Sequence, residues 1–349
     1  MKARTACQLR RAIALPLMLM IFAPNLRAAN AADSAVVLMY HRFGEARFPS
    51  TNVTVKQFES HIEELSKEQY SIRPVPEIVA AIRAGQSLPD NTVGISIDDA
   101  YLSVYKEAWP RLREANFPFT LFVATDPVNN RSPGHMSWSQ IRELADAGVT
   151  IANHSTTHPH MPFLSPSRNF AEFKNSNARF KAELGKVPSL VAYPYGEYSL
   201  ALGKETIRAG FVAGFGQHSG VIHKGSDFFN LPRFVFSEVY GDLGRLRTAA
   251  RALPLRARDV TPADMLLKKS NNPPLLGFTV DNIPPNQLSR LACYVSGQGA
   301  AQIERLGEKR IEVRMAQAFR AGRTRINCTF PEKSGRWRWF GKQFLVPPN

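Results

Sequence analysis

The chain predicts an α/β fold: a distorted, incomplete barrel of alternating strands and helices, followed by a small antiparallel β domain. Three observations predict it. Apolar runs of strand length alternate with capped amphipathic segments from about residue 34 to 250, the chemistry-bearing residues recur where those runs end, and further on the hydrophobic period falls to two. In such a barrel the strand C-termini converge on one face, so residues distant in sequence would share one pocket.

The elements follow in order. Val36 to Tyr40 is an apolar strand, after which Thr54 and Gln57 form a capping box ahead of Phe58, Ile62 and Leu65, which share one helical face. On that helix His61 stands among Glu63 and Glu64 and reads as part of the polar face. Thr92 to Ile97 is the next strand; a helix over about Val104 to Ala115 leads to the strand Phe119 to Val123. Ser137 and Gln140 cap a helix that Gly148 ends, and Val149 to Ala152 is a strand. A helix from about Asn169 stops at Gly185, Leu190 to Tyr193 is a strand, and Phe211 to Phe215 follows a helix closed by Gly210.

Beyond Leu253 a Pro-rich stretch, read as a linker over 251–272, precedes period-two segments: Leu276, Phe278 and Val280, then Ile311, Val313 and Met315, then Ile326, Cys328 and Phe330. The small β domain is placed over 273–349. Arg336-Trp337-Arg338-Trp339 mixes aromatic faces with charge; one tryptophan is expected to point into the sandwich, and glycan binding there is a secondary reading.

At the other end, Lys2, Arg4, Arg10 and Arg11 precede an apolar run from Ala12 to Ala23 that is too short for a membrane span, and small residues follow at Ala28 to Ala32. Residues 1–31 read as a secretory signal peptide, leaving a mature protein of 32–250 plus the C-terminal region with no transmembrane span. Its loss would remove five basic residues, Lys2, Arg4, Arg10, Arg11 and Arg27, taking the formal charge from +15 to +10. A basic exported protein suits a periplasmic or extracellular setting and contact with anionic envelope polymers, and argues against nucleic acid. Of the three cysteines, Cys293 and Cys328 would remain, a candidate structural disulfide in an oxidising compartment.

His154 and His158 stand four apart at a strand end. With a carboxylate from elsewhere they would make an N,N,O set that leaves positions open on a divalent cation. Asp98-Asp99 ends an apolar strand, where two carboxylates demand compensation. Adjacent residues on an extended chain diverge, so one could bind a cation while the other acts as base.

These residues resemble the polysaccharide deacetylases of the NodB-homology type, carbohydrate esterase family 4. Ser96-Ile97-Asp98-Asp99-Ala100-Tyr101 is similar to that family's first motif, and His154-Ser155-Thr156-Thr157-His158 meets the second in full. The resemblance covers about residues 34 to 240. It implies Asp98 as general base, Asp99, His154 and His158 as metal ligands, and Tyr101 and Tyr195 as substrate contacts, with Tyr195 also offering its backbone N–H to an oxyanion.

Two departures from the family pattern matter. The third motif lacks its arginine, reading Ala192-Tyr193-Pro194-Tyr195-Gly196, and Arg233 is the candidate to orient the base instead. The usual late histidine is also missing, since none lies beyond residue 240. The chain therefore resembles the permuted branch containing exported poly-N-acetylglucosamine deacetylases, in which an early Tyr-His supplies the acid; here that is Tyr40-His41. His218 and His223 compete for the acid role, whereas His61, His135 and His160 are set aside.

The resemblance implies a hydrolase removing N-acetyl groups from an extracytoplasmic N-acetylglucosamine polymer. Zn2+ is the expected metal, with Co2+, Ni2+ or Fe2+ compatible with the same ligands. The alternatives are an O-acetyl polysaccharide esterase, and a non-catalytic glycan-binding protein on the same scaffold.

Overall fold

The structure is a computed structural model that describes residues 31–348. All but the last residue of the segment read as a signal peptide lies outside that range. Among the described residues no helix is long and apolar enough to cross a membrane.

Six parallel strands form the centre of a nine-stranded main sheet: β1 (Ser34–Tyr40), β2 (Thr92–Asp98), β3 (Thr120–Val123), β4 (Thr150–Asn153), β5 (Leu190–Ala192) and β6 (Ala213–Phe215). They lie in the order β6-β5-β4-β3-β2-β1. A short strand, β7 (Phe234–Val235), pairs in parallel with the free side of β1, and Leu231 just before it bridges to Phe215 of β6. The 231–235 segment thus touches both edges of the sheet and curls it most of the way round, as the α/β expectation required.

Every residue of β2, and all of β1 after Ser34, is buried, because helices cover one face and the barrel interior the other. The helix Val75–Arg83 shares a core with residues of β1, β3 and β6, its Val75 and Ile78 belonging to the same buried cluster as Val37, Phe122 and Phe215. Gly94 permits that approach, since a Cβ there would meet Ile78 and Val75 at 3.0 Å.

The capping boxes at Thr54 and Ser137 are both formed. Three local readings change. The helix expected from Asn169 starts at Pro166, behind a Ser165 cap, because proline at the first helical position surrenders no bond. The segment after Ser103 divides into a π-helical turn, Val104–Ala108, and the helix Trp109–Glu114, where Pro110 has no N–H to continue the ladder. His61 is fully buried rather than on a polar face: Tyr40 Oη lies 3.0 Å from its Nδ1 and Gly241 O 2.8 Å from its Nε2.

The C-terminal region holds β8 (Leu253–Pro254), β9 (Ala257–Thr261), β10 (Leu276–Val280), β11 (Ala292–Val295), β12 (Gln302–Leu306), β13 (Arg310–Arg314), β14 (Gly322–Pro331) and β15 (Trp337–Val346). One sheet contains β8-β15-β14-β11 and the other runs β9-β10-β13-β12. The alternating residues Phe278, Val280, Ile311, Val313, Ile326 and Phe330 are buried in their shared core. Cys293 and Cys328 face each other across β11 and β14 and are disulfide-bonded.

The stretch 251–272 departs from the linker reading. It supplies β8, which pairs with β15, and β9, which pairs with β10. Only Ala257 and Val260 are apolar in β9, an edge strand, so it has no hydrophobic alternation to betray it. Nor do the two regions keep separate cores: Phe173, Tyr193, Leu202 and Phe211 of the barrel belong to the same buried cluster as Phe278 and Phe344. Neither tryptophan points into the sandwich as expected: Trp339 packs edge-on against Phe234 of the barrel at 5.2 Å, and Trp337 is exposed.

Candidate active site

The ends of β2, β4 and β5 deliver their residues through local backbone departures. Asp98 closes β2 and is fully buried, while Asp99 turns away at φ 75° and Ala100 at φ 54°. The two carboxylates therefore diverge because of a left-handed turn, not because of strand pleating as the sequence reading supposed. Ser155, His158 and Tyr195 are left-handed too, so five of the nine non-glycine residues with positive φ in the described chain stand in these loops. Such backbone is costly and persists only where its surroundings over-determine it.

Beyond β4 the restraints are explicit. The Asn153 side chain accepts from Ser155 N at 2.7 Å and donates to Ser176 Oγ and Asn177 Oδ1. Ser155 Oγ accepts from His158 N at 3.1 Å. Glu172, on the helix Pro166–Leu184, accepts from Thr156 N, Thr157 N and Thr157 Oγ1 at 2.9–3.0 Å and clamps the loop. No local pattern pointed to Glu172, because its partners lie a helical element away.

Asp99, His154 and His158 come together, with their ligand atoms within 4.8 Å of one another. His154 Nδ1 lies 2.7 Å from Ala192 O and donates to it, so in the neutral ring Nε2 carries a lone pair. That atom faces Asp99 Oδ1 at 3.3 Å, and His158 Nε2 faces the same oxygen at 3.4 Å. Three electron-rich atoms converging with one histidine tautomer fixed from behind is a donor set that fits a divalent cation. Burial pushes the Asp99 carboxyl up, but the two imidazoles hold it well below the usual range; His154, pulled down by burial, is carried above its ordinary value by Asp99 and Asp98.

Asp98 is engaged elsewhere. Arg233 Nη1 and Nη2 donate to its two oxygens at 2.7 and 2.8 Å, and both side chains are fully buried. Arg233 also donates to Ser96 Oγ and Gly216 O, which fix its plane. Burial works against the Asp98 charge, and the Arg233 guanidinium together with His154 and His41 more than offsets it.

His41, just past β1, is 8% exposed, and its Nδ1 is buried with no hydrogen-bond partner. Burial lowers its pKa while Asp99 and Asp98 oppose the shift. Tyr101 lies under Arg42, whose guanidinium carbon is 3.3 Å from the ring centre; burial, then Asp99, raises its pKa. His218 and His223 lie elsewhere, lining a cavity with Lys342 and Leu255.

Tyr195 follows β5 at φ 59° in a turn whose own bonds use the N–H groups of Gly196 and Glu197. Its ring meets His158 edge-on at 4.6 Å and stacks on His160 at 4.2 Å. His160, set aside in the sequence reading, has its Nδ1 2.8 Å from the buried Glu197 carboxylate.

Residues 85–214 match a family model described as polysaccharide deacetylase, a span that includes Asp98, Asp99, His154, His158 and Tyr195 but not His41 or Arg233. The poly-beta-1,6-N-acetyl-D-glucosamine N-deacetylase of Staphylococcus aureus (strain MRSA252) is 25% identical over 232 residues, covering 59% of this chain and 80% of that protein. Among solved structures, IcaB from Ammonifex degensii has a TM-score of 0.56 at 25% identity, over 63% of this chain and 98% of its own. The Streptococcus pyogenes deacetylase PplD, in complex with acetate, has a TM-score of 0.58 at 20% identity, over 62% of this chain and 98% of its own, a likeness of fold.

Proposed function

We propose that the chain, whose residues 85–214 match a polysaccharide deacetylase family model, is a metal-dependent hydrolase removing N-acetyl groups from an N-acetylglucosamine-containing polysaccharide outside the cytoplasm. One observation carries the reading: of two adjacent carboxylates, Asp99 faces the histidine pair while Asp98 is held apart by a two-pronged arginine. Export rests on the N-terminal pattern of charge, apolar run and small residues.

Asp99, His154 and His158 would hold the cation, with Zn2+ the best match to two imidazoles and a carboxylate. When bound it supplies Lewis-acid polarisation of the amide carbonyl and a lower pKa for water. Asp98, ionised and oriented by Arg233, takes the proton from the attacking water as the new C–O bond forms. The Tyr195 N–H is the protein donor assigned to the developing oxyanion. His41, protonated, gives its proton to the nitrogen as the C–N bond breaks, and acetate and the free amine leave.

Acetate release from a panel of acetylated glycans tests this. Asp98→Asn should cut turnover by about 10²–10⁴ with bound metal unchanged, and His158→Ala should lose the metal itself. Near-normal activity in the first or full metal stoichiometry in the second would overturn the assignment. Release from acetylated xylan but not from N-acetylglucosamine oligomers would replace N-deacetylation with O-deacetylation.

A further inference from the structure

The C-terminal sheets reach the active-site turn directly. Gln343, on β15 and 4% exposed, donates from Nε2 to Tyr195 O at 3.1 Å and to Gly196 O at 2.9 Å. Its orientation is set from behind, because its Oε1 accepts from Arg325 Nε at 2.9 Å. Arg323, on β14, donates from Nη1 to the same Tyr195 carbonyl at 3.2 Å and places its guanidinium carbon 5.3 Å from the Tyr195 ring centre. Its Nε lies 3.7 Å from Glu197, the carboxylate that also engages His160.

The Tyr195 ring is thus flanked by His160 and Arg323, and its carbonyl receives two donors from a region more than a hundred residues away in sequence. The turn needs such support. Tyr195 and Gly196 are both left-handed, and a Cβ on Gly196 would collide with Gln217. Held carbonyls fix the two peptide planes flanking Gly196; the Tyr195 N–H lies in the preceding plane, one left-handed residue away, so the brace acts on it by restraining the φ and ψ of Tyr195.

We infer that Gln343 and Arg323 are positioning residues of the deacetylase site, which makes the C-terminal β region part of the catalytic unit. This rests on the proposed role of the Tyr195 N–H. A donor aimed at an oxyanion acts on the transition state far more than on bound substrate, so loosening it lowers kcat and leaves KM nearly unchanged. Deleting such a donor costs about 10²–10³ in kcat; a brace that only aims it should cost about tenfold.

The test uses the full chain as Gln343→Leu and Arg323→Met. Each is compared with the wild type for amide hydrogen exchange in 193–198, metal content, melting temperature and steady-state deacetylation of N-acetylglucosamine oligomers. The expected result is exchange at least tenfold faster in 193–198 with 150–158 unchanged, metal retained, kcat down about tenfold and KM within twofold. Arg323→Met, on a partly exposed side chain, keeps the test open if Gln343→Leu fails to fold. Unchanged exchange and kcat in a folded variant would overturn the inference, as would a kcat loss that disappears when corrected for the folded fraction. A wild type that releases no acetate would sink the functional reading, while the exchange measurement would still decide the brace.

Discussion

The barrel face that gathers Asp99, His154 and His158 and the seam where β15 meets the barrel are assembled in opposite ways. On the face, most of the placement is local, through a strand end, a left-handed turn and a bond to a near neighbour, as Ser155 Oγ receives His158 N, with Ala192 O behind His154 and Glu172 over the loop as the longer-range additions. At the seam nothing is local. Gln343 reaches Tyr195 across 148 residues of sequence, Arg336 reaches Asp90 across 246, and Trp339 packs on Phe234. A motif can therefore mark where chemistry occurs while carrying almost no information about what holds it in place.

Arg233 stands between the two regimes, a distant residue serving the local site, and its removal should have the largest effect. Arg233→Met leaves a fully buried carboxylate unpaired, which costs about 3–5 kcal/mol in such pairs. Chemical denaturation should show a loss of that size, and acetate release should collapse with it. Adding Asp98→Asn to the same chain removes the stranded charge, so stability should largely return while activity stays lost. If the double variant is no more stable than Arg233→Met alone, the pair is not what ties this part of the barrel together.

The same contrast explains what the sequence made legible. Asp98-Asp99, the His154 to His158 run and Pro194-Tyr195-Gly196 are contiguous, so residue type and spacing along the chain suffice to reveal them. Arg233 was reachable by a chemical question, since a third motif without its arginine left a buried carboxylate in want of a partner. Glu172, Gln343, Arg323 and Glu197 answered no such question: each is an ordinary polar residue whose role exists only once tertiary contacts form. His61 misled for the mirror reason, because Glu63 and Glu64 beside it suggested a wet face, whereas Glu64 is itself buried and paired with Lys67 and Arg247. The linker reading of 251–272 failed because edge strands need no alternation when their partners supply the core.

A smaller effect is expected from the seam itself. Gly341 lies so close to the barrel that a Cβ there would run into the backbone carbonyl of Ser219, which has no rotamer to swing away. Gly341→Ala should force the β15 backbone outward and cost about 1–3 kcal/mol, as overpacking does. A fall in melting temperature with a parallel drop in turnover would show that seam and site move together. Unchanged stability would mean the contact is soft and the two regions are more independent than their shared core suggests.

The smallest expected effect is a pH dependence of the seam. His223 pairs through its backbone with Ser34, accepts Gly225 N at Nδ1 and lines the cavity beneath Leu255 and Ala257. Burial, then the nearby Arg256, pushes its pKa down to about 4, and Asp33 only partly opposes this. Unfolding returns it to the usual value near 6.5. Between those values the unfolded chain binds a proton that the folded chain refuses, so stability is full above about pH 6.5 and is lost as pH falls toward about 4. For a half-buried ring the discounted loss is about 1–2 kcal/mol. His223→Asn retains an acceptor near Nδ1 and cannot titrate, so its stability should decline less than the wild type's from pH 7 to 4 when both are unfolded by denaturant. Carboxylates elsewhere titrate identically in the two chains and cancel in the difference. Parallel curves across that window would show that acid does not enter the molecule through this histidine, leaving the seam's stability to packing and to contacts such as Trp339 on Phe234.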